Sequence, residues 1–249
     1  MTENPKDRPY DEAFFNYTMR ITMSSARDIV ALMRRVLPLE SVLDVGCAQG
    51  VWLKAWRDSG VMDCDGIDGD HVPRDGMLID ETAFTPADLS QGVSLGRTFD
   101  LVQSLEVAEH LPPDAAETFV ATLVAHGRLV LFSAAPPGQG GLNHVNERPY
   151  DYWRKLFAKH DFVLFDSIRP LLRGNQRVAP WYRYNIFLYA HRASLDDLPD
   201  TMRAGLISPG HPIPDVSPPL FRLRKRVLRS LPYGFGQRLA RLKHAATAG

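Results

Sequence analysis

The sequence predicts an α/β fold, a seven-stranded sheet with helices on both faces, and three observations carry that expectation. Ser41 to Trp52 joins a short apolar run, Val42, Leu43 and Val45, to a turn bounded by Gly46 and Gly50, and then to a helical pattern at Val51, Leu53, Ala55 and Trp56. One helix length further on, Met62 to Asp68 forms a second run that ends in an acid. Short apolar runs then alternate with helical patterns as far as His191, the rhythm of strand–helix–strand units.

Taken in order, Asp11 to Val36 carries Phe14, Phe15, Met19, Ile21, Met23, Ile29, Leu32, Met33 and Val36 at helical spacing. That rhythm breaks at Thr22 to Ser25, so a helix or a helix pair is expected before the first strand. After the strands ending at Val45 and Asp68, the stretch Gly69 to Gly76 is rich in breakers, and the helix expected there is short or absent. Met77 to Phe84 supplies a third strand and Phe99 to Leu105 a fourth. Pro112 and Pro113 then open a helix through Phe119, Leu123 and Val124. Gly127 to Ser133 is the fifth strand, and the loop from Ala134 to Arg148 is long enough to suggest function. A helix over Tyr150 to His160 and strands over Phe162 to Ile168 and Tyr184 to His191 complete the series, with Arg169 to Tyr182 as an insertion.

The glycine turn lets a ligand approach the backbone, where the following helix presents unpaired N–H groups. Asp68, ending the next strand, stands where a carboxylate accepts both hydroxyls of a ribose. These features suit NAD or S-adenosylmethionine. A dinucleotide site wants a third glycine soon after the second, and Gly46 is followed by Cys47, Ala48, Gln49 and Gly50. Asp44 lies inside the turn, where it would repel a pyrophosphate and attract the ammonium group of methionine.

Leu43 to Gly50 (LDVGCAQG), Gly66 to Asp68 (GID), Ala87 to Leu89 (ADL) and Phe99 to Leu111 (FDLVQSLEVAEHL) resemble the successive motifs of class I S-adenosylmethionine-dependent methyltransferases, in order, over roughly residues 40 to 190. Ala48 departs from the family, which often has its middle glycine there. The resemblance implies a Rossmann-like sheet and a cofactor site at Asp44, Gly46, Cys47, Gly50, Trp52, Asp68, Asp88, Leu89 and Leu105. Asp88 would accept from the adenine amine while the adjacent Leu89 amide meets a ring nitrogen. Asp88 also suits a helix N-cap.

Open α/β sheets bind ligands beyond the carboxyl ends of their strands, so Glu106 to His110 and the loop from Ala134 to Arg148 should meet over the methyl group. Methyl transfer to a hydroxyl needs alignment and a proton acceptor, for which His110 and His144 are the candidates. A second reading takes Glu106, Glu109, His110 and His144 as ligands of a divalent cation, magnesium or manganese. That pattern is similar to small-RNA 2′-O-methyltransferases, and the Glu-x-x-Glu-His part is shared with small-molecule O-methyltransferases. The metal-free reading is preferred, because four ligands would have to converge from two loops.

The loop Pro136 to Trp153 resembles that of bacterial methyltransferases of surface-glycan synthesis, which implies a sugar hydroxyl as acceptor. Gln139, Asn143, Asn146 and Glu147 would bind hydroxyls, and Trp153, Trp181 or Tyr182 would stack on a sugar face, although Trp153 suits core packing equally. Tyr10, Phe14, Phe15 and Tyr17 would roof the ligand or simply pack on the sheet. A non-enzymatic alternative is a binding subunit that has lost catalysis. It predicts damaged cofactor residues, and none is seen.

Composition bounds the rest. With 249 residues, 45% hydrophobic and 23% charged, the chain fits one α/β domain with appended segments. These are expected as an N-terminal helical segment (1–40), a cofactor-binding domain (41–192) and a Pro-rich linker with a basic tail (193–249). No apolar run approaches the roughly 20 residues that span a bilayer, and the first residues lack a signal-peptide order, so a cytoplasmic protein is expected. Cys47 and Cys64 are too few for a disulfide framework. Net charge is zero, yet from Val216 onward there are eight basic residues and no acid, which leaves 21 basic against 29 acidic residues in the body. That tail, with Phe221, Leu223, Val227, Leu228 and Leu231 among its cations, is expected to stay solvated or to pack on the protein itself, and it also suits the anionic inner membrane surface. The acidic body argues against nucleic acid.

Overall fold

The structure, a computed structural model, describes residues 12–230, with side chains from residue 19 onward. The residue at 10, the aromatic side chains at 14, 15 and 17, and the tail residues at 231, 238, 241 and 243 lie outside what it describes.

Seven strands form one sheet: β1 (Ser41–Val45), β2 (Asp63–Asp68), β3 (Phe84–Pro86), β4 (Leu101–Leu105), β5 (Leu129–Ser133), β6 (Phe162–Phe165) and β7 (Phe187–His191). Their order is β3-β2-β1-β4-β5-β7-β6. β7 runs antiparallel to both its neighbours, and the other pairs are parallel. From β1 the chain winds outward to β2 and β3, and from β4 it winds the other way to β5. The crevice between β1 and β4 is therefore the switch point where such sheets take ligands.

Strand side chains alternate between two cores. Val42, Leu101, Leu129 and Leu131 face α1 (Glu12–Val36) and α2 (Val51–Asp58). Leu43, Val45, Val102, Val130 and Phe132 face α3 (Ala116–Ala125) and α4 (Tyr150–Ala158). The parallel strands carry apolar residues on both faces because both faces are covered.

Of the helix or helix pair expected first, the structure has the single helix, and several strands are shorter than expected, β6 ending at Phe165 instead of Ile168. α1 is one continuous helix through Ser25, whose hydroxyl donates to the Ile21 carbonyl (2.8 Å) and accepts from the Ala179 amide (3.0 Å). The polar stretch therefore docks the helix instead of breaking it. β3 begins at Phe84, not Met77. The apolar residues before it pack on the glycine turn, with Leu78 N–H bonded to Gln49 O (2.9 Å) and Ile79 seated against Gly50. β7 begins at Phe187, because Pro180 opens a short helix, α5 (Pro180–Asn185), in front of it.

After β7 the chain passes α6 (Asp200–Arg203) and returns along the sheet edge. Asp166 N–H bonds Gly205 O (2.7 Å) and Ile207 N–H bonds Leu164 O (2.9 Å), beside β6. The buried Arg169 pairs with Asp166 (2.7 Å) and donates to the carbonyls of Tyr184 and Pro214, both at 3.0 Å. A last helix, α7 (Pro219–Arg229), then lies against the loop that follows β5. Among the described residues no helix is long and apolar enough to cross a membrane.

Candidate active site

The turn after β1 has left-handed backbone at three alternate positions, Gly46 (φ +89°), Ala48 (φ +46°) and Gly50 (φ +84°). A Cβ on Gly46 would lie 2.3 Å from Val107, and one on Gly50 would lie 2.9 Å from Ile79. Glycine is thus required twice, for conformation and for space. Ala48 takes the strained conformation that glycine would adopt freely. The turn is tied to β2 by Gly46 N–H to Ile67 O (2.7 Å) and by Ala48 N–H to Asp68 Oδ2 (2.7 Å). Cys47 is buried, with its Sγ beside Gly66.

Asp44 is buried beneath this turn, and its Oδ2 has no hydrogen-bond partner among the described residues. Burial pushes its carboxyl up to about 7, opposed by the neighbouring Gln103 amide and assisted by the Asp68 charge. Gln103 is in turn held by Trp56, whose indole N–H donates to Gln103 Oε1 (2.8 Å). A buried carboxylate oxygen without a donor is costly alone and suited to a ligand cation. An ammonium group bound there fits.

Asp68 is half-buried at the end of β2, and its Oδ1 accepts the Gly69 amide (2.6 Å). Asp88 is exposed and accepts both the amide (2.9 Å) and the hydroxyl (2.7 Å) of Ser90, so it caps the turn after β3. Leu89 is buried beside it. Trp52 is buried in the first turn of α2, edge-on to Tyr182 with centroids 5.1 Å apart. Leu105 is buried at the end of β4.

The loops after β4 and β5 meet as expected. Glu106 has left-handed backbone (φ +59°), which turns the chain sharply out of β4. Its N–H bonds the Ser133 carbonyl at 3.0 Å, and its carboxylate accepts from Gln139 Nε2 (2.6 Å) and Asn185 Nδ2 (3.4 Å). Burial pushes its carboxyl up, against these hydrogen bonds. Glu109 is fully buried, and among the described residues neither carboxylate oxygen completes a hydrogen bond, although the amides of Glu109 and Ala135 face it. Burial, and then the Glu106 charge, push it well above the carboxylate range. Its backbone carbonyl receives the amides of Val145 and Asn146 (2.9 and 3.0 Å), which docks the second loop on the first.

That docking sets His110 and His144 edge to face, centroids 4.9 Å apart. His144 Nδ1 lies 2.9 Å from Glu147 Oε1, and the same carboxylate accepts the amides of Gly138 and Gly140, both at 2.7 Å. Gly141 leaves room for the ring, since a Cβ there would come within 2.1 Å of His144 Nε2. Although part of His110 is open to solvent, low-dielectric surroundings and the His144 ring push it down to about 4, so it is neutral at pH 7. Ligand atoms of Glu109, His110 and His144 all lie within 4.8 Å of one another. Glu106 points instead to Gln139 and Asn185 and stands apart from that group.

Several polar residues expected to face a sugar are used inside the loop. Gln139 holds Glu106, Asn146 is buried with its amide directed at Ala108 O (3.3 Å), and Glu147 ties the glycines to His144. Trp153 is core, and Tyr182 is buried against Trp52. The residues that sequence reading passed over are Gln103, Val107, Ile79 and Asn185. Only Gln103 carried a signal, as a large polar side chain beside Ser104 in a strand that is wholly buried.

Residues 19–173, more than half of the chain, match the family described as methyltransferase domain. No curated protein matches the chain in sequence. Among solved structures, the fold is similar to the sugar N-methyltransferase KedS8 from a Streptoalloteichus species at TM-score 0.55 and 15% identity, over 77% of this chain and 97% of that one. It is similar to DesVI of Streptomyces venezuelae at TM-score 0.52 and 15% identity, over 72% and 95%. The amino pentose methyltransferase CalS10 from Micromonospora echinaspora, solved with S-adenosylmethionine, matches at TM-score 0.52 and 16% identity, over 77% and 100%. With this sheet order, the glycine turn and the matched domain together, the chain belongs to the class I S-adenosylmethionine-dependent methyltransferases, and S-adenosylmethionine is its cofactor.

Proposed function

We propose that the protein transfers the methyl group of S-adenosylmethionine to a hydroxyl of a sugar or sugar-bearing acceptor. In this reading Asp44 holds the cofactor's ammonium group, Asp68 its ribose, and the Asp88–Leu89 turn its adenine. The cofactor supplies an activated methyl group, and the chain aligns the acceptor and removes its proton. The observation that carries the proposal is the pair His144–Glu147 with His110 packed edge-on, at the junction of the loops after β4 and β5. Glu147 fixes the His144 ring through Nδ1 and would stabilise the imidazolium formed as the hydroxyl attacks, so His144 is the general base. His110, neutral and adjacent, completes the acceptor side.

A sugar acceptor is supported by KedS8 and CalS10, whose descriptions name a sugar and an amino pentose. Those names point to nitrogen in one case. A neutral amine attacks without a base, whereas a hydroxyl needs one, and the His144–Glu147 pair favours oxygen. The test is mass spectrometry of free and nucleotide-linked hexoses and their amino counterparts after incubation with the enzyme and S-adenosylmethionine. Methylation of amino sugars alone would overturn the hydroxyl assignment.

One observation favours a second reading. Glu109 is a buried carboxyl with no side-chain partner among the described residues, clustered with His110 and His144, and a magnesium or manganese ion would satisfy all three. Such an ion would lower the acceptor hydroxyl's pKa and orient it. Under the base mechanism a chelator leaves turnover unchanged. Loss of turnover on chelation, restored by magnesium or manganese, selects the metal mechanism.

A further inference from the structure

α7 has three distinct faces. Residues 221, 224, 225 and 228 turn toward the body. The Phe221 ring meets Tyr184 with centroids 5.8 Å apart, Arg224 donates to Gln139 O (3.1 Å), Lys225 pairs with Asp215 (2.6 Å), and Leu228 lies over Gly140. Residues 220, 223 and 227, at three- and four-residue spacing, form a second stripe that faces water. Leu220 is 79% exposed, Leu223 57% and Val227 54%. Arg222, Arg226 and Arg229 form a third stripe beside it, all exposed, and none pairs with an acid among the described residues. Of the inward cations Lys225 is neutralised by Asp215 and Arg224 is held by a carbonyl, whereas the outward three have no acid among the described residues.

We infer that α7 docks on an anionic lipid bilayer through the Leu220–Leu223–Val227 stripe, with Arg222, Arg226 and Arg229 reaching the phosphates. An aqueous surface gains nothing from three exposed aliphatic side chains in register on one helix. A bilayer interface buries the stripe among its acyl chains while the neighbouring guanidinium groups stay at headgroup level. Nucleic acid would use the arginines and leave the aliphatic stripe in water. A second copy of this helix would oppose one cationic stripe to another. A bilayer accommodates both stripes at once.

The docking face belongs to the same helix that packs on the proposed acceptor loop. A Cβ on Gly138 would lie 2.1 Å from Lys225 O, so loop and helix touch backbone to backbone. Docked on lipid, the protein would hold Gln139 and His144 close to the membrane surface. Binding itself does not depend on the acceptor reading.

The test is co-sedimentation of the full chain with vesicles of phosphatidylcholine alone or with about 30 mol% phosphatidylglycerol. Binding to the anionic vesicles alone is expected. Two variants, Leu223→Gln with Val227→Gln, and Arg222→Gln with Arg226→Gln and Arg229→Gln, should each weaken it roughly tenfold or more. Both leave Arg238, Arg241 and Lys243 in place, and their melting temperatures should match the wild type because the changed side chains face water. Absence of binding, equal binding to neutral vesicles, or unchanged binding by either variant overturns the inference. So does tighter binding to duplex DNA that the Leu223→Gln, Val227→Gln variant retains.

Discussion

Ala48 donates its backbone N–H to Asp68 Oδ2 at 2.7 Å, so the acid that ends β2 closes the turn that ends β1. The left-handed conformation of Ala48 is held in part by this bond. Asp68 therefore has two tasks, one in shaping the turn and one proposed in binding ribose. Asp68→Ala should weaken S-adenosylmethionine binding, with each lost hydrogen bond to the charged carboxylate worth about 1.5–3 kcal/mol at most. It should also lower the melting temperature of the free protein. Calorimetry separates the two effects, and unchanged affinity with a lowered melting temperature would leave Asp68 with the structural task alone.

Gly46 and Gly60 share a positive φ (+89° and +97°) but differ in surroundings. A Cβ at Gly46 strikes Val107, whereas one at Gly60 meets nothing within 4 Å. Gly60→Ala should cost about 1–2 kcal/mol from backbone strain alone. Gly46→Ala should cost about 2–4 kcal/mol, with the packing conflict added, and should impair cofactor binding. Urea unfolding of the two variants measures the difference.

Asp44 gives a pH dependence with a definite sign. Its folded pKa of about 7 lies above the ordinary aspartate value, so the folded state keeps a proton that the unfolded state has lost. Asp44's own contribution to the stability of the free protein should decline as pH rises from about 4 to about 7 and level off above, with a limiting slope of about 1.4 kcal/mol per pH unit. Cofactor affinity should move the other way over the same window, because an ammonium group favours the ionised carboxylate. Thermal melts of the wild type and of Asp44→Asn, with and without S-adenosylmethionine, would show it, since the difference between the two proteins should carry both trends.

His144→Ala should reduce turnover by about 10²–10⁴-fold, the usual worth of a positioned general base, with cofactor affinity unchanged. His110→Ala should also lower turnover while leaving affinity alone. Separate measurement of binding and of methyl transfer checks this, and full activity in both variants would remove the histidines from the acceptor side.

How much of this was legible in the sequence depended on distance along the chain. β1, its turn and β2 are punctuated by Gly46, Gly50 and Asp68, and the spacing alone places them. Met77 to Ile79 has the composition of a strand, but the segment serves as a plug over Gly50, a long-range partnership that local pattern does not encode. Ser25 reads as a helix break, since its bond to the distant Ala179 amide is invisible locally. The site shows the same division. His110 and His144 were identifiable as chemistry-bearing residues on two loops. That Glu106 would be claimed by Gln139 and Asn185, leaving Glu109 with the histidines, required the fold.

The return of the chain along β6 has a consequence for handling this protein. β6 is short, wholly buried and apolar throughout, Phe162-Val-Leu-Phe165, and it lies at the end of the sheet order. Gly205 and Ile207 occupy hydrogen-bonding groups beside it that another chain would otherwise find. A truncation after His191, the natural place to trim a domain from its tail, would strip that cover and leave a sticky template for strand addition. Such a fragment should self-associate in light scattering, whereas a truncation after Ser217 should stay monodisperse.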